Sequence, residues 1–272
     1  MDQSKIELLN KTELFVLDMD GTFYLENDII PGSLEFLSSV VNAGKDYIFF
    51  TNNASSSPKL YIEKLAKMNC HITRERIMTS ADVTIEFLRS EYPGKSVYLL
   101  GTPALTESML EAGIILTNDT DKKPDIVLAS FDKTLTYEKL VNACNYIREG
   151  AIFLATHMDI NCPVKDGFIP DCGAICAAIE LSTGVKPRFL GKPFKETLDM
   201  IERVTKKEKE KITFVGDRLY TDVATGVNNG ANGILVLTGE CGIADIDKSP
   251  VKPTAVFESL SEIGKFLDEI YS

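Results

Sequence analysis

Short runs of apolar residues recur along the chain and predict buried β-strands. Runs without polar alternation are typical of parallel strands that are covered on both faces. In chain order they are Leu14 to Leu17, Tyr47 to Phe50, Val97 to Leu100, Ile126 to Leu128, Ile152 to Leu154, Ile212 to Val215 and Ile234 to Leu237. Between them, apolar residues recur with helical spacing, as from Leu34 to Val41 and from Tyr61 to Met68. The alternation predicts an α/β protein.

Two carboxylates follow the first predicted strand. Asp18 and Asp20 are two residues apart, so strand geometry directs both side chains to the same side. In open α/β sheets the ligand crevice lies outside the carboxyl ends of the strands, and this position favours a catalytic role. A simple turn is the alternative, because Asp-Gly is common in loops. Beyond it, the segment around Glu26-Asn27-Asp28 predicts a small hairpin.

Polar groups also follow the second strand. Thr51, Asn52 and Asn53 offer a hydroxyl and two amides, which together with turn N–H groups can hold phosphate oxygens. Lys192 precedes a helical stretch and is the natural cation for an acidic cluster, the alternative being an ordinary surface lysine.

A third strand, Ile212 to Val215, leads into Asp217 and Asp222. Taken with Asp18 and Asp20, the acids total −4, Lys192 returns +1, and a divalent cation would leave −1. Without a metal these acids would repel one another and a phosphate. Oxygen ligands without His or Cys favour Mg²⁺, and the set is suited to attack by a carboxylate on phosphorus.

Composition and charge narrow the classes of function. The chain has 272 residues, of which 44% are hydrophobic and 25% charged, as in a folded globular protein. Lys and Arg total 29 against 40 Asp and Glu, a net charge of −11, which argues against binding nucleic acid or a membrane surface. The N-terminus lacks a signal-peptide pattern, so we expect a cytoplasmic protein. Its 6 cysteines are expected to be free thiols, with a zinc site at Cys172 and Cys176 as the less favoured alternative.

Four motifs occur in order along the chain: DMDGT from Asp18, TNN from Thr51, GKP from Gly191 and GDRLYTD from Gly216. They resemble the motifs of the haloacid dehalogenase (HAD) superfamily of phosphatases. The long insert resembles the branch with p-nitrophenyl phosphatases, phosphoglycolate phosphatases and the phosphatase of the N-acetylglucosamine operon. The resemblance spans essentially the whole chain. It implies a doubly wound, Rossmann-like core of residues 1–82 and 187–272 and an inserted α/β cap of the C2 type, residues 83–186.

The same resemblance implies roles for the acids. Asp18 would be the nucleophile that forms an aspartyl-phosphate, and Asp20 would protonate the leaving oxygen and then activate water. Asp217, the Asp18 carboxylate and the backbone carbonyl of Asp20 would hold Mg²⁺, with Asp222 beside the metal.

It also implies that Thr51 and Lys192 bind the phosphoryl group, with Asn52 and Asn53 as further donors.

The polar segment between the Ile152 strand and the next predicted helix, Gly173 to Leu181, has the position of a binding loop. We expect His157, Asp159 and Asp171 to lie near the leaving group of the substrate. The alternative is a solvated connection with His157 hydrogen-bonded to backbone. The branch commonly has Asn-Pro where this chain has His157 and Met158, so the cap segment departs from the pattern of the branch at this position.

The leading hypothesis is a Mg²⁺-dependent phosphomonoester hydrolase that acts on a small phosphorylated metabolite, since a cap would exclude polymers. Sugar phosphates, phosphoglycolate, nucleoside monophosphates and pyridoxal phosphate all remain open. The alternatives are a receiver-like phosphoacceptor and a non-catalytic binding module. Asp20 discriminates, because a signalling phosphoacceptor needs a long-lived acyl phosphate, whereas an acid/base near the nucleophile suits rapid hydrolysis. A homodimer through the cap is the one protein partner expected.

Overall fold

The computed structural model describes residues 2–117, 123–164 and 167–272. The strands are β1 (Leu14–Leu17), β2 (Tyr24–Leu25), β3 (Asp28–Ile29), β4 (Asp46–Thr51), β5 (Ile77–Thr79), β6 (Ser96–Leu100), β7 (Ile115–Leu116), β8 (Ile126–Ala129), β9 (Ile152–Ala155), β10 (Asn161–Val164), β11 (Gly167–Pro170), β12 (Arg188–Phe189), β13 (Ile212–Gly216), β14 (Asn232–Val236) and β15 (Ala255–Phe257). Each of the seven predicted runs overlaps one of these strands.

The helices lie between them. They are α1 (Gln3–Lys11), α2 (Ser33–Asn42), α3 (Pro58–Lys67), α4 (Ser80–Glu91), α5 (Pro103–Glu111), α6 (Tyr137–Arg148), α7 (Cys172–Thr183), α8 (Lys195–Thr205), α9 (Ala224–Val227), α10 (Ile243–Lys248) and α11 (Leu260–Tyr271). Short 3₁₀ turns lie at Arg74–Arg76 and Lys209–Lys211, and a π-helical turn at Leu219–Val223. None of the helices in the described ranges is both long and apolar enough to cross a membrane.

The residues form two units, each with its own sheet. The core unit comprises Met1–Thr51, Tyr61–Met78 and Lys192–Ser272, and the inserted unit comprises Asn52–Leu60 and Thr79–Gly191. The predicted boundaries at 83 and 186 fall inside the inserted unit. The assignment of the two units as catalytic core and cap stays a prediction.

The core unit has a six-stranded sheet in the order β15-β14-β13-β1-β4-β5. Each strand pair from β15 to β4 is parallel, and β1 pairs with both β13 and β4. All four residues of β1 are buried, as its unbroken apolar run predicts. The order runs outward from β1 in both directions, so the sheet is doubly wound and its crevice lies beside the carboxyl end of β1. The predicted α/β fold class is confirmed.

Helix packing completes the core of this unit. Phe15 of β1 packs edge-on against Phe36 of α2 with ring centroids 5.6 Å apart. Helix α2 begins after Gly32, which has φ 85° and lies so close to α11 that a Cβ atom there would meet the Cβ of Ser261 at 2.4 Å. Only glycine satisfies both conditions. The predicted hairpin is present: β2 and β3 pair antiparallel through Tyr24 and Ile29.

The inserted unit has a five-stranded sheet in the order β12-β9-β8-β6-β7, and its strand pairs are parallel. Helices α6 and α7 contribute to an apolar cluster with β6, β8 and β9. Cys172 and Cys176 belong to this cluster as buried free thiols. The predicted helix from Gly173 to Leu181 is α7, which begins one residue earlier, with Asp171 as its N-cap. The polar segment of interest therefore connects β9 to the start of α7.

Candidate active site

Three neighbouring strands of the core sheet end at one edge with a polar residue. Asp18 follows β1, Thr51 is the last residue of β4, and Asp217 follows β13. Because β1 lies between β4 and β13, these residues share the carboxyl-end rim of the sheet. Carboxylate oxygens of Asp18, Asp217 and Asp222 lie within 4.8 Å of one another. The π-helical turn Leu219–Val223 returns Asp222 to the rim.

Lys192 is the cation of this acidic group. Its Nζ donates to Asp18 Oδ1 at 2.6 Å, to Asp222 Oδ1, and to the Phe50 carbonyl at 3.4 Å. The residue is 3% exposed. Burial alone lowers the pKa of its ammonium, but the carboxylates of Asp18 and Asp222 outweigh burial and raise that pKa above its ordinary value. Lys192 is therefore a permanent positive charge between two carboxylates, not a surface lysine.

The Asp217 carboxylate packs against two glycines, where the backbone leaves no room for a side chain. A Cβ atom on Gly239 would lie 2.0 Å from Asp217 Oδ2, and one on Gly21 would lie 2.5 Å from the same oxygen. Oδ2 accepts the N–H of Glu240 at 2.7 Å. Oδ1 is buried and has no hydrogen-bond partner in the described structure. Such a buried oxygen, aimed beside two further carboxylates, fits a cation ligand.

Electrostatics supports the same assignment. Burial raises the pKa of Asp18, the Asp222 carboxylate raises it further, and Lys192 opposes the rise only in part. Burial and Asp222 also raise the pKa of Asp217. The ionised forms of these acids are thus under-compensated by the protein alone. The donor set, which is all oxygen, is the one that Mg²⁺ prefers.

Arg218 is a second cation near these acids, and its role was not predicted from the sequence. Its Nε lies 2.9 Å from Glu240 Oε2. Burial alone would lower the pKa of its guanidinium, but Asp18 and Asp222 outweigh this and raise it. Because Arg218 is itself paired with Glu240, it adds no net charge to the group, and the acids still require a further cation. In the sequence, the position of Arg218 between Asp217 and Asp222 of the motif GDRLYTD was the feature that could have identified it.

Asp20 follows the nucleophile candidate Asp18 by two residues. Its Oδ2 accepts the Tyr24 hydroxyl at 3.4 Å, and the Lys64 ammonium stands 3.9 Å from the centroid of the Tyr24 ring. The Asp20 side chain reaches solvent, but its partial burial among protein atoms raises the pKa of its carboxyl above the ordinary value. Lys64, Tyr24 and Arg218 act in the opposite direction and lower that pKa. A raised pKa favours the protonated form, which a general acid needs.

Asn52 and Asn53 belong to the inserted unit, and the contacts described for them lie within it. Asn52 Nδ2 donates to Asp159 Oδ1 at 3.2 Å. Asn53 Oδ1 accepts from the Ser55 N–H at 3.0 Å and from the Ser55 hydroxyl at 2.8 Å, which forms a local turn. Their role as phosphate donors stays a prediction.

The predicted specificity residues lie close together, and His157 and Asp171 are hydrogen-bonded to each other. His157 is 0% exposed, and its Nε2 lies 2.8 Å from Asp171 Oδ1. Its Nδ1 lies 2.9 Å from Thr156 Oγ1. The side-chain donor atoms of His157, Asp159 and Asp171 lie within 4.8 Å of one another. His157 is therefore not part of a solvated connection, contrary to the alternative interpretation of the segment.

Comparison with known families identifies the motifs. A family model for haloacid dehalogenase-like hydrolases matches residues 15–115, and a second, HAD-hydrolase-like model matches residues 189–263. The acid sugar phosphatase of Staphylococcus aureus is 35% identical over 256 residues, which cover 93% of this chain and 97% of that protein. The chain belongs to the haloacid dehalogenase-like hydrolases.

Solved structures of other HAD proteins have the same fold. The 4-nitrophenylphosphatase of Thermotoga maritima is 45% identical, with a TM-score of 0.90 over 95% of this chain and 98% of that chain. NagD of E. coli K-12 is 31% identical, with a TM-score of 0.86 over 92% of this chain and 98% of that chain. These comparisons confirm the predicted superfamily and branch, the fold class, and the prediction of an enzyme of the HAD phosphatase type.

Proposed function

We propose that this HAD protein is a Mg²⁺-dependent phosphomonoester hydrolase that acts on a small phosphorylated metabolite through an aspartyl-phosphate intermediate. The observation that carries the proposal is the buried group of Asp18, Asp217 and Asp222 around the Lys192 ammonium at the carboxyl-end rim of a doubly wound sheet. This arrangement offers an oxygen nucleophile, a fixed cation for phosphoryl oxygens and a set of cation ligands in one place.

In the first step, an Asp18 oxygen attacks phosphorus, and the bond between phosphorus and the ester oxygen breaks. Asp20, starting as a carboxylic acid, gives its proton to the departing oxygen. The Lys192 ammonium, already hydrogen-bonded to Asp18 at 2.6 Å, balances negative charge on the phosphoryl oxygens. We assign further phosphoryl contacts to Thr51 and to the amides of Asn52 and Asn53.

In the second step, the Asp20 carboxylate takes a proton from water, and the water oxygen attacks phosphorus. The bond between phosphorus and Asp18 breaks, inorganic phosphate leaves, and both aspartates return to their starting states. Tyr24, whose hydroxyl contacts Asp20, holds the carboxylate during this exchange.

Mg²⁺ fits the residues that surround Asp217. The carboxylates of Asp18 and Asp217 and the backbone carbonyl of Asp20 would hold the ion, with Asp222 beside it. When bound, the ion withdraws charge from the phosphoryl oxygens and compensates the acids that Lys192 and Arg218 leave uncompensated.

For the substrate, we propose a sugar phosphate as the physiological ester and an aryl phosphate as the assay ester, because relatives are named acid sugar phosphatase and 4-nitrophenylphosphatase. Phosphoglycolate, nucleoside monophosphates and pyridoxal phosphate belong on the same test panel. Of the three predicted specificity residues, His157 and Asp171 are buried, so we assign selection of the ester to Asp159. This residue is partly exposed, so we place it nearest the leaving group. An Asp159→Ala variant should then change the order of activities across the panel.

The deciding experiment is hydrolysis of 4-nitrophenyl phosphate by the full chain. Activity should disappear with EDTA and return with Mg²⁺, and Asp18→Asn should abolish turnover while the protein stays folded, since an amide cannot attack phosphorus. Asp199→Asn, in an exposed pair with Lys195, is the matched control and should remain active. Full activity in metal-free buffer, or near-normal turnover by Asp18→Asn, would contradict the proposal.

No contact described in the structure favours the receiver-like phosphoacceptor or the non-catalytic module, and Asp20 with its raised pKa favours hydrolysis. The cytoplasmic location and a homodimer through the cap stay predictions.

A further inference from the structure

A polar cluster surrounds the buried His157 where β9 ends in the inserted unit. Both ring nitrogens have oxygen neighbours: Asp171 Oδ1 lies 2.8 Å from Nε2, while Thr156 Oγ1 and Ser80 Oγ lie 2.9 Å and 3.5 Å from Nδ1. The ring itself is 0% exposed. Because a buried polar group without a partner is costly, the protons on the two ring nitrogens must match the donors and acceptors around them.

The neighbours of the ring determine its protonation state. Asp171 can only accept, so Nε2 carries a proton. The Thr156 hydroxyl donates to Ser130 Oγ at 3.0 Å, and the Ser80 hydroxyl donates to the Asn52 carbonyl. Both hydroxyl protons are thus directed away from Nδ1, which therefore carries a proton as well. In this arrangement both ring nitrogens act as donors, as they do in an imidazolium ion.

The charged groups that face the ring agree with this assignment. They are Asp171 at the start of α7 and Asp159 of its own loop, and the Cys172 thiol lies beside them. Burial alone would lower the pKa of His157, but Cys172, the hydrogen bond to Asp171 and the charge of Asp159 outweigh burial and raise it to about 9.

The same cluster holds two backbone segments. The Thr156 carbonyl accepts the N–H of Gly191 at 2.8 Å, and Asn52 is held through its carbonyl by Ser80 and through its side chain by Asp159. Packing here is close: a Cβ on Gly191 would meet Thr156 O at 2.6 Å, Asn52 Oδ1 at 2.7 Å and His157 Cβ at 3.1 Å. Asn52 and Gly191 are the sequence neighbours of Thr51 and Lys192.

We infer that His157 is a positioning residue: as a buried imidazolium paired with Asp171, it fixes Asn52 and Gly191, and with them the chain segments that lead directly into Thr51 and Lys192. It touches neither substrate nor the reacting atoms. Its kinetic consequence rests on the proposed phosphatase function, whereas its charge state and its contribution to stability do not.

The charge state is measured on the wild-type protein by NMR. The chain has 2 histidines, His157 and the exposed His71, so a single His71→Gln variant assigns both imidazole signals. The His157 ring should carry both protons at pH 7.5 and lose one only near pH 9. A neutral His157 ring at pH 7.5 would overturn the inference.

Stability is measured by thermal unfolding. His157→Gln leaves the buried Asp171 carboxylate without its cation, so Tm should fall by roughly 5–10 °C, whereas His71→Gln should leave it unchanged. The double variant His157→Gln with Asp171→Asn removes both charges and should regain part of the loss. A wild-type Tm for His157→Gln would contradict the inference.

Kinetics separates positioning from substrate contact. By displacing the phosphoryl-binding segments, His157→Gln should lower kcat/KM for 4-nitrophenyl phosphate and for a sugar phosphate by the same factor. We expect a loss of roughly 10- to 100-fold, because small misplacements near the reacting group are costly. A changed ratio between the two esters, or no loss for either, would refute positioning. An inactive wild type would refute the proposed function instead, and the NMR and unfolding results would still decide the state of His157.

Discussion

Replacing Lys192 by methionine tests the charge balance of the candidate active site. The substitution keeps an unbranched chain of similar volume and removes the ammonium that lies 2.6 Å from Asp18 Oδ1 and also contacts Asp222. Side-chain exposures of 4% for Lys192 and 3% for Asp222 mean that water cannot replace the lost ion pairs. Breaking a buried pair by removing one partner costs about 3–5 kcal/mol, which corresponds to a fall in Tm of roughly 10 °C for a chain of this size.

The assay is thermal unfolding in EDTA at pH 7.5, with Lys195→Met as the control. Lys195 belongs to an exposed pair with Asp199 whose ions are 3.7 Å apart, so its loss should shift Tm by no more than about 2 °C. Because protonated carboxyls need no counter-ion, the penalty for Lys192→Met should shrink at pH 5, and Mg²⁺ should recover part of it at pH 7.5. Equal Tm values for the two variants would refute the charge argument.

Three further predictions concern Gly216, Asp20 and His157. Gly216→Ala places a Cβ 2.2 Å from the Asp222 Cβ and should reduce Mg²⁺-dependent activity by roughly 100-fold, whereas Gly242→Ala, whose nearest atom would be 3.8 Å away, should behave as wild type in the same assay. Asp20→Asn should slow hydrolysis of a sugar phosphate more than that of an aryl phosphate, since only the poor leaving group needs a proton; equal losses would count against the acid role. The stability that His157 contributes should be complete below pH 6.5 and disappear as the pH rises through about 9, seen as a shrinking difference in unfolding free energy between wild type and His157→Gln.

The sheet strands were predictable wherever an apolar run was long enough. Continuous runs such as Leu14–Leu17 mark strands buried on both faces, and each predicted run overlaps a strand. The runs do not reveal which of two sheets they join, because apolar strands of different units look alike in sequence. Ile77–Thr79 and Ala255–Phe257 contain only 3 residues each, too few to show a pattern above that of an ordinary loop.

The acidic rim was predictable because strand ends converge, which brings Asp18 and Asp217 together from opposite ends of the chain. Arg218 was missed because a single residue in a turn gives no signal of burial. The burial of His157 was missed for a related reason: a polar, Gly- and Pro-containing segment predicts solvent exposure. Within this segment the buried ring of His157 pairs with Asp171, the N-cap of α7, and that contact joins residues 14 positions apart.

In the proposed mechanism, Asp18 carries the phosphoryl group during turnover. Borohydride reduces an aspartyl phosphate to homoserine, so the enzyme should be treated with borohydride while it hydrolyses 4-nitrophenyl phosphate with Mg²⁺, then digested and analysed by mass spectrometry. The wild type should contain homoserine at position 18, and none should form without substrate or in the Asp18→Asn variant. Continued turnover with an unreduced Asp18, or with reduction at another acid, would contradict this mechanism.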